Sequence, residues 1–130
     1  SAGLGLCSLL AAKAGARKVI ALEAEPELAG LGSRIAERNG VGPEVLQFVC
    51  ADARSLEKLP DGLEQVDVIV SQFMGYFLMY EARLENLVNA RHRWLKPGGL
   101  MFPDRARLHL ALLQDADYKR DHLDCFSNMW

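Results

Sequence analysis

The stretch Val66-Asp67-Val68-Ile69-Val70 constrains this chain most. It is an apolar run broken by a single acid, five residues long, and it reads as a buried strand of a parallel sheet. Asp61-Gly62 marks a turn before it. After it comes a loop, Ser71 to Glu81, and then Leu84, Leu87, Val88, Arg91 and Leu95 at helical spacing. Two similar runs, Lys18 to Leu22 and Val45 to Cys50, flank a helix-patterned segment that starts at Pro26 and stops at Asn39-Gly40. Helices alternating with short buried strands imply an α/β fold with a parallel sheet of right-handed βαβ units. Such sheets bind ligands outside the carboxyl ends of their strands, which places Gln72 and Glu81 where chemistry is expected.

The remaining segments fit the same scheme. Leu6, Leu9 and Leu10 follow helical spacing over Leu4 to Ala14, and Gly15 ends that helix. Lys96-Pro97-Gly98-Gly99 breaks the helix after Leu95, and Leu100 to Phe102 and Arg107 to Leu113 read as strands separated by Pro103-Asp104. Residues 115–130 show no clear pattern. A glycine-rich turn that opens a helix belongs after a strand. Ser1-Ala2-Gly3-Leu4-Gly5 is such a turn with nothing before it, so a central strand is expected upstream.

Composition excludes several classes. Fifteen basic against seventeen acidic residues give a formal charge of −2 without a basic run, so charge does not signal nucleic acid. No apolar stretch approaches the roughly 20 residues of a membrane span. Cys7, Cys50 and Cys125 are far apart and lack C-x-x-C pairing, so they read as small hydrophobes in a reducing, cytoplasmic (or nuclear) setting rather than metal ligands.

Ser71-Gln72-Phe73-Met74-Gly75-Tyr76, with Glu81 five residues on, resembles the double-glutamate loop of the protein arginine methyltransferases. Phe102-Pro103-Asp104-Arg105 and the helix and strand around Ala11 to Ile20 extend the likeness nearly end to end. The resemblance implies a Rossmann-like class I methyltransferase domain over residues 1–104, its first strand missing from this chain. Residues 105–130 would then enter a β-barrel substrate domain. The cofactor implied is S-adenosylmethionine. Gly3 and Gly5 correspond to two glycines of the family's cofactor turn, with Ser1 at the third position and Leu4 where a small residue is usual. Glu23 ends a strand 18 positions after Gly5 and would accept from ribose hydroxyls. Asp52, Ala53 and Arg54 match the adenine-side stretch, although arginine can only donate and the acceptor role would fall to Asp52.

The clamp itself departs from the family. Two carboxylates can grip a planar guanidinium bidentately and turn one nitrogen toward an electrophilic methyl group. Here Glu81 keeps one of the two and Gln72 replaces the other, while Met74 belongs to the same loop. A charged hydrogen bond is worth about 1.5–3 kcal/mol against about 1 for a neutral one. His92, His109 and His122 match no histidine of the family and receive no catalytic role. Departures at Ser1, Arg54 and Gln72 all fall on functional positions, which resembles a catalytically inactive prozyme that pairs with a catalytic arginine methyltransferase paralogue, or with itself. The alternatives are an active arginine methyltransferase relying on Glu81, and a methyltransferase for a neutral small substrate. Docking of a partner's arm is expected on the outer faces of the first two helices, Leu4 to Ala14 and Pro26 to Arg38, on the second through Ala29, Gly32 and Ala36, with Leu28, Leu31 and Ile35 turned to the sheet.

Overall fold

The structure is a computed structural model and describes residues 1–81 and 83–124. In chain order it contains α1 (Leu6–Lys13), β1 (Val19–Glu23), α2 (Pro26–Arg38), β2 (Leu46–Cys50), β3 (Val66–Val70), α3 (Arg83–Trp94) and β4 (Leu95–Phe102). Local chemistry sets the ends of α2. Pro26 supplies a pre-set φ in the first turn, and Asn39 caps the last turn through its side-chain N–H to Ile35 O. Gly40 follows at φ 75°, where a side chain is disfavoured.

β1 and β2 pair in parallel, Val19 opposite Leu46 and Glu23 opposite Cys50. β3 and β4 also pair in parallel, and the two pairs are not hydrogen-bonded to each other. The single sheet expected from the sequence is therefore two halves. A strand lying between β1 and β3 would have to bond both, and the described residues provide none. Among the described residues, Ala2 reaches β1's open edge, donating its N–H to Leu22 O at 2.7 Å.

Alternation along β1 explains why both faces are covered. Val19 and Ala21 turn to one side, where Ala21, Ala36 and Leu46 form a buried cluster backed by Leu9, Ala12 and Phe48. Ile20 and Leu22 turn to the other side and pack with Val66 and Ile69 of β3 around Leu59, Ala90 and Trp94. Both strand pairs thus share the α3 layer.

Four expectations need correction. Val66 to Val70 forms a strand but not a buried one: Val68 and Val70 are 45% and 53% exposed, because no described segment covers that side of β3 and β4, where Leu100 and Phe102 are exposed as well. Lys96-Pro97-Gly98-Gly99 does not separate helix from strand; it lies inside β4, which begins at Leu95 directly after Trp94. Val66 pairs with Leu95 and Val68 with Leu100, so four residues bulge out opposite Asp67. Gly99 is required there, because a Cβ would sit 2.9 Å from Asp67 O. Lys96 Nζ bonds Asp67 Oδ1 at 2.6 Å across the bulge. Arg107 to Leu113 is not a strand, since no described segment pairs with it and Leu110, Leu112 and Leu113 stand exposed. Lastly, α2 is rotated from the expectation, with Leu28 and Ile35 only half-buried. Ala29, Gly32 and Ala36 are its buried residues, and Leu31 is 40% exposed. The cause is Phe48 of β2, whose ring fills the space against Gly32. Small residues face the sheet because an aromatic ring needs the room.

Candidate functional site

The site forms where the chain leaves the carboxyl ends of β1, β2 and β3. Glu23 closes β1 and is 4% exposed. Its Oε2 accepts from Gly3 N at 2.6 Å and its Oε1 from Glu25 N at 3.0 Å. Burial works against its charge, but the backbone N–H groups of Glu25 and Gly3, with a smaller contribution from Ser1, hold its carboxyl below the usual glutamate range. Gly3 and Glu23 thus form one hydrogen-bonded unit, and Gly5 N closes the turn on Ala2 O at 3.0 Å. The two glycines serve different ends. Gly3 has φ 56° and nothing within 4 Å of where a Cβ would stand, an open approach to the turn. Gly5, at φ 85°, is closed off by the Phe48 ring, so packing inside the protein already requires glycine there.

Asp52 and Arg54, expected on the adenine side, are also preorganised, but toward each other. Asp52 Oδ1 accepts from Arg54 N at 2.8 Å and from Arg54 Nε at 3.2 Å. Asp52 Oδ2 accepts from Asn86 Nδ2 at 3.3 Å. The Arg54 backbone bond is the main cause that holds the Asp52 carboxyl below its ordinary range, overcoming partial burial. Asn86 and Arg93 of α3 were not singled out in the sequence. Arg93 donates to Glu57 O at 3.0 Å and to Ala53 O and Arg54 O at 3.5 Å, fixing residues 53–57 against the helix. Its guanidinium also lies 4.8 Å from the Trp94 ring. A basic residue in the last turn of a helix is ordinarily read as a dipole partner, which is why its tie to a distant loop was missed. Asn86 Oδ1 is buried without a hydrogen-bond partner among the described residues, an acceptor beside Asp52.

The loop after β3 begins with Ser71 N bonded to Phe102 O at 2.8 Å and buries Phe73 beneath it. Gln72 is exposed, and so is Met74. Phe77 and Leu78 have φ of 51° and 60°, a sparsely populated region for large side chains. These turns bring Glu81 back over Gly75, where an added Cβ would meet the Glu81 Cδ and Oε1 at 2.8 Å. Glu81 Oε2 is paired with Arg83 Nη2, the two side chains being 28% and 55% exposed. Gln72 and Glu81 therefore share one loop, as the sequence implied, but the remaining carboxylate already holds a guanidinium.

Cys7 and Cys50 are free thiols on the surface rather than packed hydrophobes, and Cys125 lies outside the described residues. Among the described residues no helix is long and apolar enough to cross a membrane.

Two pairs of parallel strands, a glycine turn bonded to an acid at the end of β1, and a loop after β3 together define a class I methyltransferase domain. Residues 1–102 match the family described as Methyltransferase domain. The chain is 38% identical over 128 residues to Protein arginine N-methyltransferase 1 of Caenorhabditis elegans, covering 98% of this chain and 36% of that protein. It is 40% identical over 129 residues to the protein of the same name in Oryza sativa subsp. indica, covering 99% of this chain and 32% of the relative. Among solved structures, Arabidopsis thaliana protein arginine methyltransferase 10 matches with a TM-score of 0.72 at 36% identity, over 78% of this chain and 28% of that one. The Trypanosoma brucei PRMT1 enzyme-prozyme heterotetrameric complex with AdoHcy matches with a TM-score of 0.66 at 28% identity, over 78% and 30%. The chain belongs to the protein arginine N-methyltransferase family. It spans about a third of the length of the curated relatives it matches.

Proposed function

We propose that the protein carrying this chain is a catalytically inactive arginine-methyltransferase-like subunit that assembles with a catalytic paralogue and supports its activity. One observation carries the reading: the loop that should hold two carboxylates has Gln72 in place of the first. A glutamine keeps one acceptor but turns a donor toward guanidinium donors and removes a full charge. The difference between a charged and a neutral hydrogen bond is about 1 kcal/mol or more. Expressed only in the transition state, each 1.4 kcal/mol would slow transfer roughly tenfold.

The cofactor side fits S-adenosylmethionine in part. Gly3 and Glu23 would hold its amino-acid and ribose ends, Glu23 having each oxygen bonded only once. When bound, the cofactor supplies a sulfonium methyl as electrophile. Asp52, the residue left to accept from adenine, is engaged by Arg54 and Asn86, which weakens that end. The enzyme-prozyme complex among the matching structures is a heterotetramer, and assembly of that kind is the role proposed here. The partner-facing side of α2 would be Gly30, Leu31 and Arg34, not the Gly32 face.

The intact Gly3–Glu23 unit and Glu81 favour a second reading, an active arginine methyltransferase. Titration calorimetry on the full-length protein separates the two. Inactivity predicts S-adenosylmethionine affinity at least tenfold weaker than an active family member, and no methylation of an arginine-rich peptide. Low-micromolar binding together with turnover would overturn it.

A further inference from the structure

We propose that Arg83 acts as a built-in occupant of the guanidinium site and is a specificity determinant of this loop. The inference rests on the reading of the Ser71–Glu81 loop as a guanidinium clamp. Glu81 is its only acid, and Arg83 follows two residues later at the start of α3. From Ser71 to Arg83 the sequence holds one negative and one positive charge, so the loop sums to zero. A clamp with two glutamates and no arginine would carry −2. An incoming arginine side chain therefore meets no net negative charge and must displace a guanidinium already seated on the carboxylate.

The geometry makes this displacement costly. Glu81 is folded down on Gly75, which fixes where its carboxylate points. Arg83 is tethered two residues away, so its effective concentration at Glu81 is in the range of mM or higher for so short a link. A half-exposed ion pair is weak on its own. It competes through proximity, because a free peptide has to reach the same oxygens from dilute solution. Arg83 is also anchored in a helix whose Asn86 and Arg93 are tied to the loop of residues 52–57, so it does not drift from the site. Arginine offers the same planar fork as the family's substrate, which a lysine or methionine at this position would not.

The test uses the full-length protein as wild type, Arg83→Met, Arg83→Lys, Gln72→Glu and the Gln72→Glu/Arg83→Met double variant. A fluorescein-labelled arginine-rich peptide is titrated by anisotropy at low and high salt, without cofactor. Arg83→Met should bind the peptide roughly two- to fivefold more tightly than wild type at low salt, the range set by exposed ion pairs, and the gain should shrink at high salt. Arg83→Lys should stay within about twofold of wild type, since the charge on Glu81 is still met. The double variant should gain more than the product of the two single changes, because in Gln72→Glu alone Arg83 is free to serve either carboxylate. Equal affinity of Arg83→Met and wild type, with both proteins folded by circular dichroism, would overturn the proposal. So would a Gln72→Glu single variant that binds as tightly as the double. Wild-type methylation of the same peptide would instead count against the inactive-subunit reading and leave the Arg83 comparison to be judged on its own.

Discussion

Gly30 and Gly32 lie two residues apart on α2, and their replacement by alanine should give opposite signs. Alanine is favoured over glycine in a helix interior by about 1 kcal/mol, and that term is common to both positions. At Gly30 nothing lies within 4 Å of the new Cβ, so Gly30→Ala should stabilise the protein by about 0.5–1 kcal/mol. At Gly32 the new Cβ falls on the edge of the Phe48 ring, with even Cδ1 only 3.2 Å away. The optimum for carbon atoms is about 3.5–4.0 Å, so the ring has to move. Overpacking of this kind costs about 1–3 kcal/mol. After the propensity gain is subtracted, Gly32→Ala should be neutral to destabilising by about 2 kcal/mol. The gap between the two variants isolates the clash. Urea unfolding of the full-length protein, followed by circular dichroism, measures it, and Phe48→Leu added to Gly32→Ala should recover most of the loss. Equal gains from both alanines would refute the account of why α2 turns its small face inward.

Three further outcomes are expected. Glu23→Gln leaves a side-chain N–H facing a backbone N–H in a buried place, and should cost about 1–3 kcal/mol in the same unfolding assay. Its folded carboxyl titrates below the ordinary value near about 4.3, so its contribution is complete above that pH and disappears as pH falls through the lower folded value. The variant should therefore flatten the acid limb of the stability profile, and an unchanged limb would count against the charged pair of bonds. Leu31→Glu, on the exposed side of α2, should leave the melting curve within about 0.5 kcal/mol of wild type yet reduce co-purification with a catalytic paralogue; an intact complex would exclude this face. Gln72→Glu alone should not produce robust methylation of an arginine-rich peptide, because groups that act as a unit are strongly non-additive.

How much of this was legible varied with whether the signal was local. The bounds of α2 could be read from Pro26 and Asn39-Gly40, because caps and breakers act within a few residues. The place of Glu23 at the end of a strand was legible, but its bond to Gly3 N was not, because a helix and a loop separate the two in the sequence. Nor was the orientation of α2. Leu28, Leu31 and Ile35 look like a buried stripe until Phe48, on a different strand, claims the space and sends the small residues inward. The bulge in β4 was hidden because Pro97-Gly98-Gly99 signals a break equally well between elements or inside one. Arg107 to Leu113 failed for a related reason: an alternating pattern describes a segment fit for a sheet, and only a partner makes it a strand. Arg83 escaped notice because helical pairing rules concern spacings of three and four, while Glu81 sits in a turn before the helix begins.

The two sides of the site are altered in different ways. On the proposed cofactor side both carboxylates are kept, Glu23 held by the backbone N–H groups of Gly3 and Glu25 and Asp52 by Arg54 and Asn86. On the proposed reading, what opposes binding there is competition within the protein: removing the Arg54 side chain frees part of Asp52, while the Arg54 backbone N–H and Asn86 still hold it. On the clamp side a charge is absent at Gln72, and the charge that remains at Glu81 is compensated by Arg83. No single substitution restores a doubly negative, open clamp, because adding a carboxylate leaves Arg83 in place and removing Arg83 leaves one carboxylate. On the proposed reading, the cofactor side is altered less deeply than the guanidinium side. That asymmetry fits a subunit kept for its fold and its surfaces better than one adapting to a slower version of the same reaction.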